Sequence, residues 1–97
     1  MIVHIVMFKF KDENKERNLI EMKKKLEALL GLVPTLKSME VGIDFSKSPR
    51  AFDLSLYSIF DDEASLNAYA IHEEHLKVVE FVKEVTIESK VVDYIRG

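Results

Sequence analysis

The first ten residues contain a strand-like segment that is apolar on both of its faces. Side chains alternate between the two faces of a β-strand. A strand over residues 2–10 therefore carries Ile2, His4, Val6, Phe8 and Phe10 on one face and Val3, Ile5 and Met7 on the other. Because such a strand needs cover on both sides, this segment constrains the fold more than any other feature of the chain.

The rest of the chain switches between helical and strand periodicity. The predicted elements are, in order, a helix over residues 14–30, strands over 37–45 and 52–60, a helical region over 61–84 and a strand over 87–95. Gly31 and Pro34 are stop signals for the first helix. The second helical region is expected to bend near residues 72–74.

Apolar residues at helical spacing define the faces that are expected to pack on a sheet. In the first helix these residues are Leu19, Met22, Leu26, Leu29, Leu30 and Val33. In the second helical region the residues expected to face inwards are Leu66, Leu76, Val79 and Val82.

The order of the elements is strand, helix, strand, strand, helix, strand. This order predicts an α+β fold, a ferredoxin-like βαββαβ arrangement in which both helices cover one face of a four-stranded antiparallel sheet. The other face would then expose Val3, Ile5 and Met7 together with apolar residues of the neighbouring strands, a patch larger than a soluble monomer usually shows. We therefore expect a homodimer that packs sheet against sheet.

The composition excludes several classes of function. The 97 residues are expected to form one domain, residues 1–97. The net charge of −3 is small and the lysines are interleaved with acids, which argues against a nucleic-acid or membrane partner. Cysteine is absent, which excludes disulfides and thiolate chemistry. Because the apolar N-terminal run is too short to cross a membrane and lacks the marks of a signal peptide, we expect a cytoplasmic protein.

The residues best suited to chemistry near neutral pH lie in the second helical region. Tyr69, His72 and His75 follow one another at intervals of three residues and could share one broad helix face. Two histidines at this spacing are also common as solvated or structural residues. The remaining histidine, His4, lies on an apolar strand face, where an imidazole either finds a hydrogen-bond partner or lines a cavity.

Five segments in order along the chain resemble the stress-responsive A/B barrel family. They are residues 4–11, 41–44, 52–61, 69–75 and 92–94. The resemblance extends over almost the whole chain and implies one stress-responsive A/B barrel domain. The fold that it implies is a dimeric α+β barrel, which agrees with the open sheet face inferred from the alternation of side chains.

The resemblance also implies roles for individual residues. Most members of the family have no assigned reaction, but one plant member closes a linear polyketide thioester by aldol condensation without a cofactor. Its acid/base histidine matches His75, its active-site tyrosine matches Tyr69, and its first-strand histidine matches His4; a further histidine matches His72. The family often has proline after this last histidine, where the present chain has Glu73.

These arguments lead to a set of candidate site residues. We expect His75 and Tyr69 to act as a catalytic pair, and His4, Phe8, Tyr57 and His72 to contact a ligand. The ligand would be a small hydrophobic, acyl or aromatic molecule bound between sheet and helices. Three alternatives stay open: an enzyme of enolate chemistry such as a polyketide cyclase, a cofactor-free monooxygenase, and a structural dimer without a ligand.

No metal or organic cofactor is expected. His72 and His75 are three residues apart, whereas the zinc protease signature places its histidines four residues apart. Barrels of this kind that handle haem typically use tryptophan near the ring, and the chain has none. His75 and Tyr69, rather than His72, are expected to face an interior pocket, because His72 is followed by two glutamates that should point to solvent.

Overall fold

The computed structural model describes residues 1–97 and contains four strands and three helices. The elements are β1 (Ile2–Phe10), α1 (Lys15–Ala28), β2 (Ser38–Ile43), β3 (Leu54–Phe60), α2 (Glu63–Ala70), α3 (Glu73–Val85) and β4 (Thr86–Ile95). The strands form one antiparallel sheet in the order β2-β3-β1-β4. This is the ferredoxin-like arrangement, and the predicted fold is therefore confirmed.

The strand β1 lies inside the sheet, and its two faces have different neighbours. Directly opposed residues of antiparallel strands share a face. On the helix-covered face, His4 lies between Ser58 of β3 and Asp93 of β4. On the helix-free face, Ile5 lies between Tyr57 and Val92. The predicted division of β1 into two apolar faces is confirmed, and one of them packs on the helices.

The predicted apolar stripe of the first helix is buried at every position except Leu30. Leu19, Met22 and Leu26 are buried against the sheet. Leu30 was predicted to belong to this stripe but is 47% exposed. The helix ends at Ala28, and Gly31 then adopts a left-handed φ of +100°, so the helical period no longer determines which way Leu30 points.

The second helical region is broken, as predicted near His72. Asp62 begins α2 by accepting a hydrogen bond from the Ser65 N–H at 2.8 Å. The helix ends at Ala70, and a new helix begins at Glu73 with His72 as its N-cap. The break forms without the proline that the family resemblance implies here, and the imidazole of His72 caps α3.

The break also changes which residues of α3 face inwards. Leu76 was predicted to be internal but is 49% exposed, whereas Val78 and Val85 are buried. Val79 is half-buried, as expected. Because α3 begins its own helical phase at Glu73, a stripe extended from the preceding helix assigns Leu76 to the wrong face.

The hairpin between β2 and β3 is longer than predicted, so both strands are shorter. The strand β2 ends at Ile43, and Phe45 is 93% exposed. The carboxylate of Asp44 turns the chain by accepting hydrogen bonds from the Lys47 N–H at 2.8 Å and the Ser46 hydroxyl at 3.0 Å. At the other end of the loop, just before β3, the carboxylate of Asp53 accepts a hydrogen bond from the Phe10 N–H at 2.7 Å.

The hydrophobic core lies between the helices and the covered face of the sheet. Its fully buried members include Phe10, Met22, Leu29, Val33 and Phe60. None of the helices is long and apolar enough to cross a membrane.

Candidate functional site

A cavity of about 310 Å³ lies between α3 and the covered face of the sheet. Its apolar wall is formed by Val6, Phe8, Leu26, Leu56, Val78, Val79, Val82 and Val91. The residues with polar side chains along its wall are His4, Tyr69, His75 and Ser89. The cavity thus combines a mainly apolar lining with a few polar groups, as small-molecule sites usually do.

Tyr69 lies in the last turn of α2, and its side chain is buried. Only 2% of the residue is exposed, and its ring centroid is 5.0 Å from that of Phe60. The buried hydroxyl has no hydrogen-bond partner in the protein. Burial raises the pKa of this phenol well above its usual value, so the group remains protonated and can donate a hydrogen bond.

His75 lies in the first turn of α3, and its ring stacks at a tilt against Tyr69 with 4.3 Å between the centroids. Its Nδ1 is 3.0 Å from the carbonyl oxygen of Ala70. Because a carbonyl oxygen can only accept, Nδ1 carries the proton and Nε2 of the neutral ring is a free acceptor.

Burial is the main reason why the pKa of His75 is lowered from its usual value. The nearby imidazoles of His4 and His72 lower this pKa further, and the hydrogen bond to Ala70 opposes the change. A lowered pKa keeps the imidazole neutral and basic near pH 7.

His4 approaches the same cavity from β1. Its Nδ1 forms a short hydrogen bond with the carboxylate of Asp93, which lies directly opposite in β4. The centroid of its ring is 6.5 Å from that of Tyr69. Asp93 holds the ring of His4 and selects the tautomer with the proton on Nδ1.

The role of Asp93 was missed by the sequence analysis. It is a lone acid within the apolar run of the last strand, and it lies inside one of the segments that carry the family resemblance. That position was the available signal, but only the register between β1 and β4 brings Asp93 to His4.

The structure brings together four of the six candidate site residues. His4, Phe8, Tyr69 and His75 line one cavity. Tyr57 does not line it, because this residue lies on the helix-free face of the sheet, where its hydroxyl accepts a hydrogen bond from Arg96 at 2.9 Å. His72 does not line it either, because its Nδ1 accepts the Glu74 N–H at 3.1 Å to cap α3.

The arrangement is suited to holding a carbonyl compound. The phenol of Tyr69 can donate to an oxygen, and Nε2 of the adjacent His75 can accept a proton from a neighbouring carbon. No group of three or more histidine, aspartate or glutamate side chains is arranged to hold a metal ion.

A ferredoxin-like domain with a candidate site between its sheet and its helices is the class of protein that these features define. Within that class, the chain belongs to the stress responsive A/B barrel domain family, whose model matches residues 2–96.

Two relatives extend the comparison. The chain is 32% identical over 96 residues to a stress-response A/B barrel domain-containing protein of Arabidopsis thaliana. This match covers 98% of the chain but only 36% of the relative, so the chain spans about a third of that protein's length. A solved dimeric protein of unknown function and ferredoxin-like fold from Bacteroides fragilis is 30% identical, with a TM-score of 0.87 and coverage of 96% of this chain and 93% of that chain.

A hydroxynitrile lyase from Passiflora edulis has a similar structure, with a TM-score of 0.87 and coverage of 99% of this chain and 93% of that chain. The identity is 17%. At this level the likeness shows a common fold and nothing about a common reaction.

Proposed function

We propose that the cavity binds a small, mainly apolar molecule that carries a carbonyl group. The buried hydroxyl of Tyr69, which has no partner in the protein, carries this proposal. Leaving such a group without a hydrogen bond costs about 1–3 kcal/mol. A ligand oxygen within reach of the hydroxyl would restore the missing hydrogen bond.

The dimensions and lining of the cavity support this class of ligand. Its volume of about 310 Å³ is at the lower end of the range for small-molecule sites. Val6, Leu56 and Val78 are among the side chains that would contact the apolar part of the molecule. The polar groups at the cavity would contact its carbonyl end.

A second candidate function is proton transfer to or from this ligand without a cofactor. It is favoured by the hydrogen bond between Nδ1 of His75 and the carbonyl of Ala70, which leaves Nε2 as the basic atom. Nε2 would take a proton from the carbon next to the carbonyl, and the electrons of the broken C–H bond would form the C=C bond of an enolate. Tyr69 would donate a hydrogen bond to the enolate oxygen.

The enolate carbon could then add to a second carbonyl of the same molecule and close a ring. This addition is the step that forms the carbon–carbon bond in the aldol condensation that the family resemblance implies. The proton held by Nε2 of His75 would pass to the new alkoxide oxygen, so that the imidazole returns to its neutral form.

We also propose that the chain forms a homodimer through its helix-free sheet face. Met7 and Val92 on this face are 44% and 56% exposed. The similar protein from Bacteroides fragilis is described as dimeric. Packing two such faces together would remove their apolar side chains from water.

The test combines binding and proton exchange on matched variants. Purified protein is titrated with aryl alkyl ketones and β-keto thioesters, and binding is followed by thermal shift and NMR. We expect Tyr69→Phe to weaken binding about five- to tenfold, because one hydrogen bond is lost. Tyr94→Phe removes a tyrosine hydroxyl from the opposite sheet face and is the matched control; it should bind as the wild type does.

Proton transfer is measured as deuterium exchange of the protons next to the ketone carbonyl. His75→Gln should abolish the catalysed exchange while retaining binding, and wild-type exchange should slow as the pH falls, because an imidazolium cannot accept a proton. Absence of binding by every probe would contradict the proposed ligand class. Unchanged exchange in His75→Gln would contradict the role of His75 as the base.

A further inference from the structure

The junction between α2 and α3 positions the two central residues of the cavity. Tyr69 lies just before the end of α2, and His75 lies just after the start of α3. The distance of 4.3 Å between their ring centroids therefore depends on the conformation of residues 70–73. A change in this junction would alter the polar end of the cavity directly.

His72 holds the junction through both its backbone and its side chain. Its N–H donates to the Tyr69 carbonyl at 3.1 Å, and its carbonyl accepts from the Leu76 N–H at 2.9 Å. Its imidazole Nδ1 accepts from the Glu74 N–H at 3.1 Å. This is the N-cap position, which serine, threonine, aspartate or asparagine usually occupies.

A histidine N-cap depends on protonation, unlike the usual capping residues. Nδ1 can accept the Glu74 N–H only while it carries no proton. Protonation converts Nδ1 into a donor that faces another donor, so the hydrogen bond is lost. Histidine is the side chain that most readily changes charge between pH 5 and pH 8.

The other imidazole at the junction behaves in the opposite way. Nδ1 of His75 donates to the carbonyl of Ala70. This N–H is present in both the neutral and the charged ring, so protonation of His75 does not remove the bond. Of the two imidazole hydrogen bonds at the junction, only that of His72, which lies within the start of α3, is lost in acid.

The charges within α3 both favour and oppose protonation of His72. The carboxylates of Glu73 and Glu74 in the first turn favour a positive charge, whereas the helix dipole opposes it. Lys77 lies 4.0 Å from the Glu73 carboxylate and 3.3 Å from that of Glu74, which reduces their attraction. The imidazole of His75 repels a second positive charge.

Two further basic groups approach from other elements. Lys25 of α1 lines the groove that contains Glu74 and Lys77, and His4 of β1 acts electrostatically on His75. Both groups lie near residues that adjoin His72 rather than against its ring, and the direct structural change on protonation is the loss of the cap.

We propose that His72 is a pH-sensitive cap: in acid it releases the first turn of α3, leaves the His75–Ala70 hydrogen bond as the remaining imidazole contact at the junction, and so loosens the polar end of the cavity, where His75 packs on Tyr69. Ligand release on acidification is the consequence, and this part rests on the proposed binding function. The conformational part does not depend on any ligand.

The conformational part is tested by comparing the wild type with His72→Asn. Asparagine accepts with its amide oxygen and does not titrate in this range, so it is a pH-independent cap. Exchange of the Glu74 amide with solvent is measured by NMR at pH 7.5 and pH 5.5. The ratio of the wild-type rate to the variant rate should be close to one at the higher pH and about fivefold larger at the lower pH, as expected from the loss of a cap.

Imidazole ¹⁵N spectra of the wild type provide a measurement that needs no variant. They should show an unprotonated Nδ1 at His72 at pH 7.5 and a protonated Nδ1 at pH 5.5. A rate ratio for Glu74 that is the same at both values of pH would overturn the proposal, and so would an Nδ1 of His72 that is already protonated at pH 7.5.

The ligand part uses the aryl alkyl ketone bound most tightly at pH 7.5. The wild type should lose more affinity than His72→Asn between pH 7.5 and pH 5.5, by about fivefold. Equal losses in the two proteins would contradict coupling of the cap to the cavity. Absence of binding at both values of pH would count against the proposed function, while the amide exchange would still decide whether His72 is a switch.

Discussion

At the scale of single residues, burial acts on the two central side chains in complementary ways. It raises the pKa of Tyr69, which keeps the phenol a donor, and it lowers the pKa of His75, which keeps the imidazole an acceptor. Burial is the largest cause of both changes, and the imidazoles of His4 and His72 add to the lowering of the pKa of His75. The third polar group, His4, is instead oriented by the carboxylate of Asp93.

The unpartnered hydroxyl of Tyr69 predicts a gain in stability when it is removed. Tyr69→Phe should raise the free energy of unfolding in the absence of ligand by about 1 kcal/mol, because the variant no longer buries an unsatisfied donor. Urea unfolding at pH 7.5 measures this change. Tyr94→Phe, which alters a tyrosine that is 43% exposed in the single chain, should stay within about 0.5 kcal/mol of the wild type. A loss of stability in Tyr69→Phe would mean that the hydroxyl is bonded within the protein.

At the scale of elements, the break between α2 and α3 decides what the second helical region contributes. It places Tyr69 and His75 on either side of a junction, and it turns Val78 rather than Leu76 towards the core. The apolar pattern of residues 61–84 predicts a helical region correctly, because helical periodicity is local. It does not predict the phase of a helix that starts anew at Glu73.

The corrected phase of α3 predicts a difference between two neighbouring truncations. Val78→Ala should lower the free energy of unfolding by about 2 kcal/mol, since it removes buried methyl groups and leaves a small void. Leu76→Ala removes a larger but half-exposed side chain and should cost less than about 1 kcal/mol. Both are measured by chemical denaturation, and a larger loss for Leu76→Ala would mean that α3 packs with the predicted rather than the observed face.

At the scale of the whole molecule, the two faces of the sheet have separate roles. The covered face contributes to the core and to one wall of the cavity. The helix-free face carries Ile5 at its centre, between Tyr57 and Val92. Because the two faces share a strand, β1 connects the candidate site to the proposed dimer interface.

The proposed dimer predicts that a charge at the centre of the helix-free face will dissociate it. Ile5→Lys should change the mass measured by light scattering at micromolar concentration from twice the 11.2 kDa of the chain to a single chain. Ile20→Lys, which places the same charge at an exposed isoleucine of α1, is the control and should remain dimeric. A monomeric wild type under these conditions would refute the proposed interface.

The sequence by itself determined the order of the elements, the ferredoxin-like fold and the two-sided character of β1. These features follow from the spacing of apolar residues within short segments, which is a local property. The three-residue intervals between Tyr69, His72 and His75 indicated a common helix face, and the family resemblance singled out Tyr69 and His75 as partners. The alternation of side chains did not predict where β2 ends. The strand stops before Phe45 because the carboxylate of Asp44 accepts hydrogen bonds within the loop, and alternation carries no information about such bonds.

Only the tertiary structure decided which of the candidate residues meet in space. Tyr57 and His4 both lie on strands, but the register of β1 and β3 pairs Tyr57 with Ile5 and so puts Tyr57 on the opposite side of the sheet from His4 and the cavity. The pairing of His4 with Asp93 depends on the register of strands that are distant in sequence. His72 became a cap rather than a ligand contact because its ring meets the Glu74 N–H at a helix start. Each outcome depends on contacts between groups whose relative positions exist only after the chain has folded.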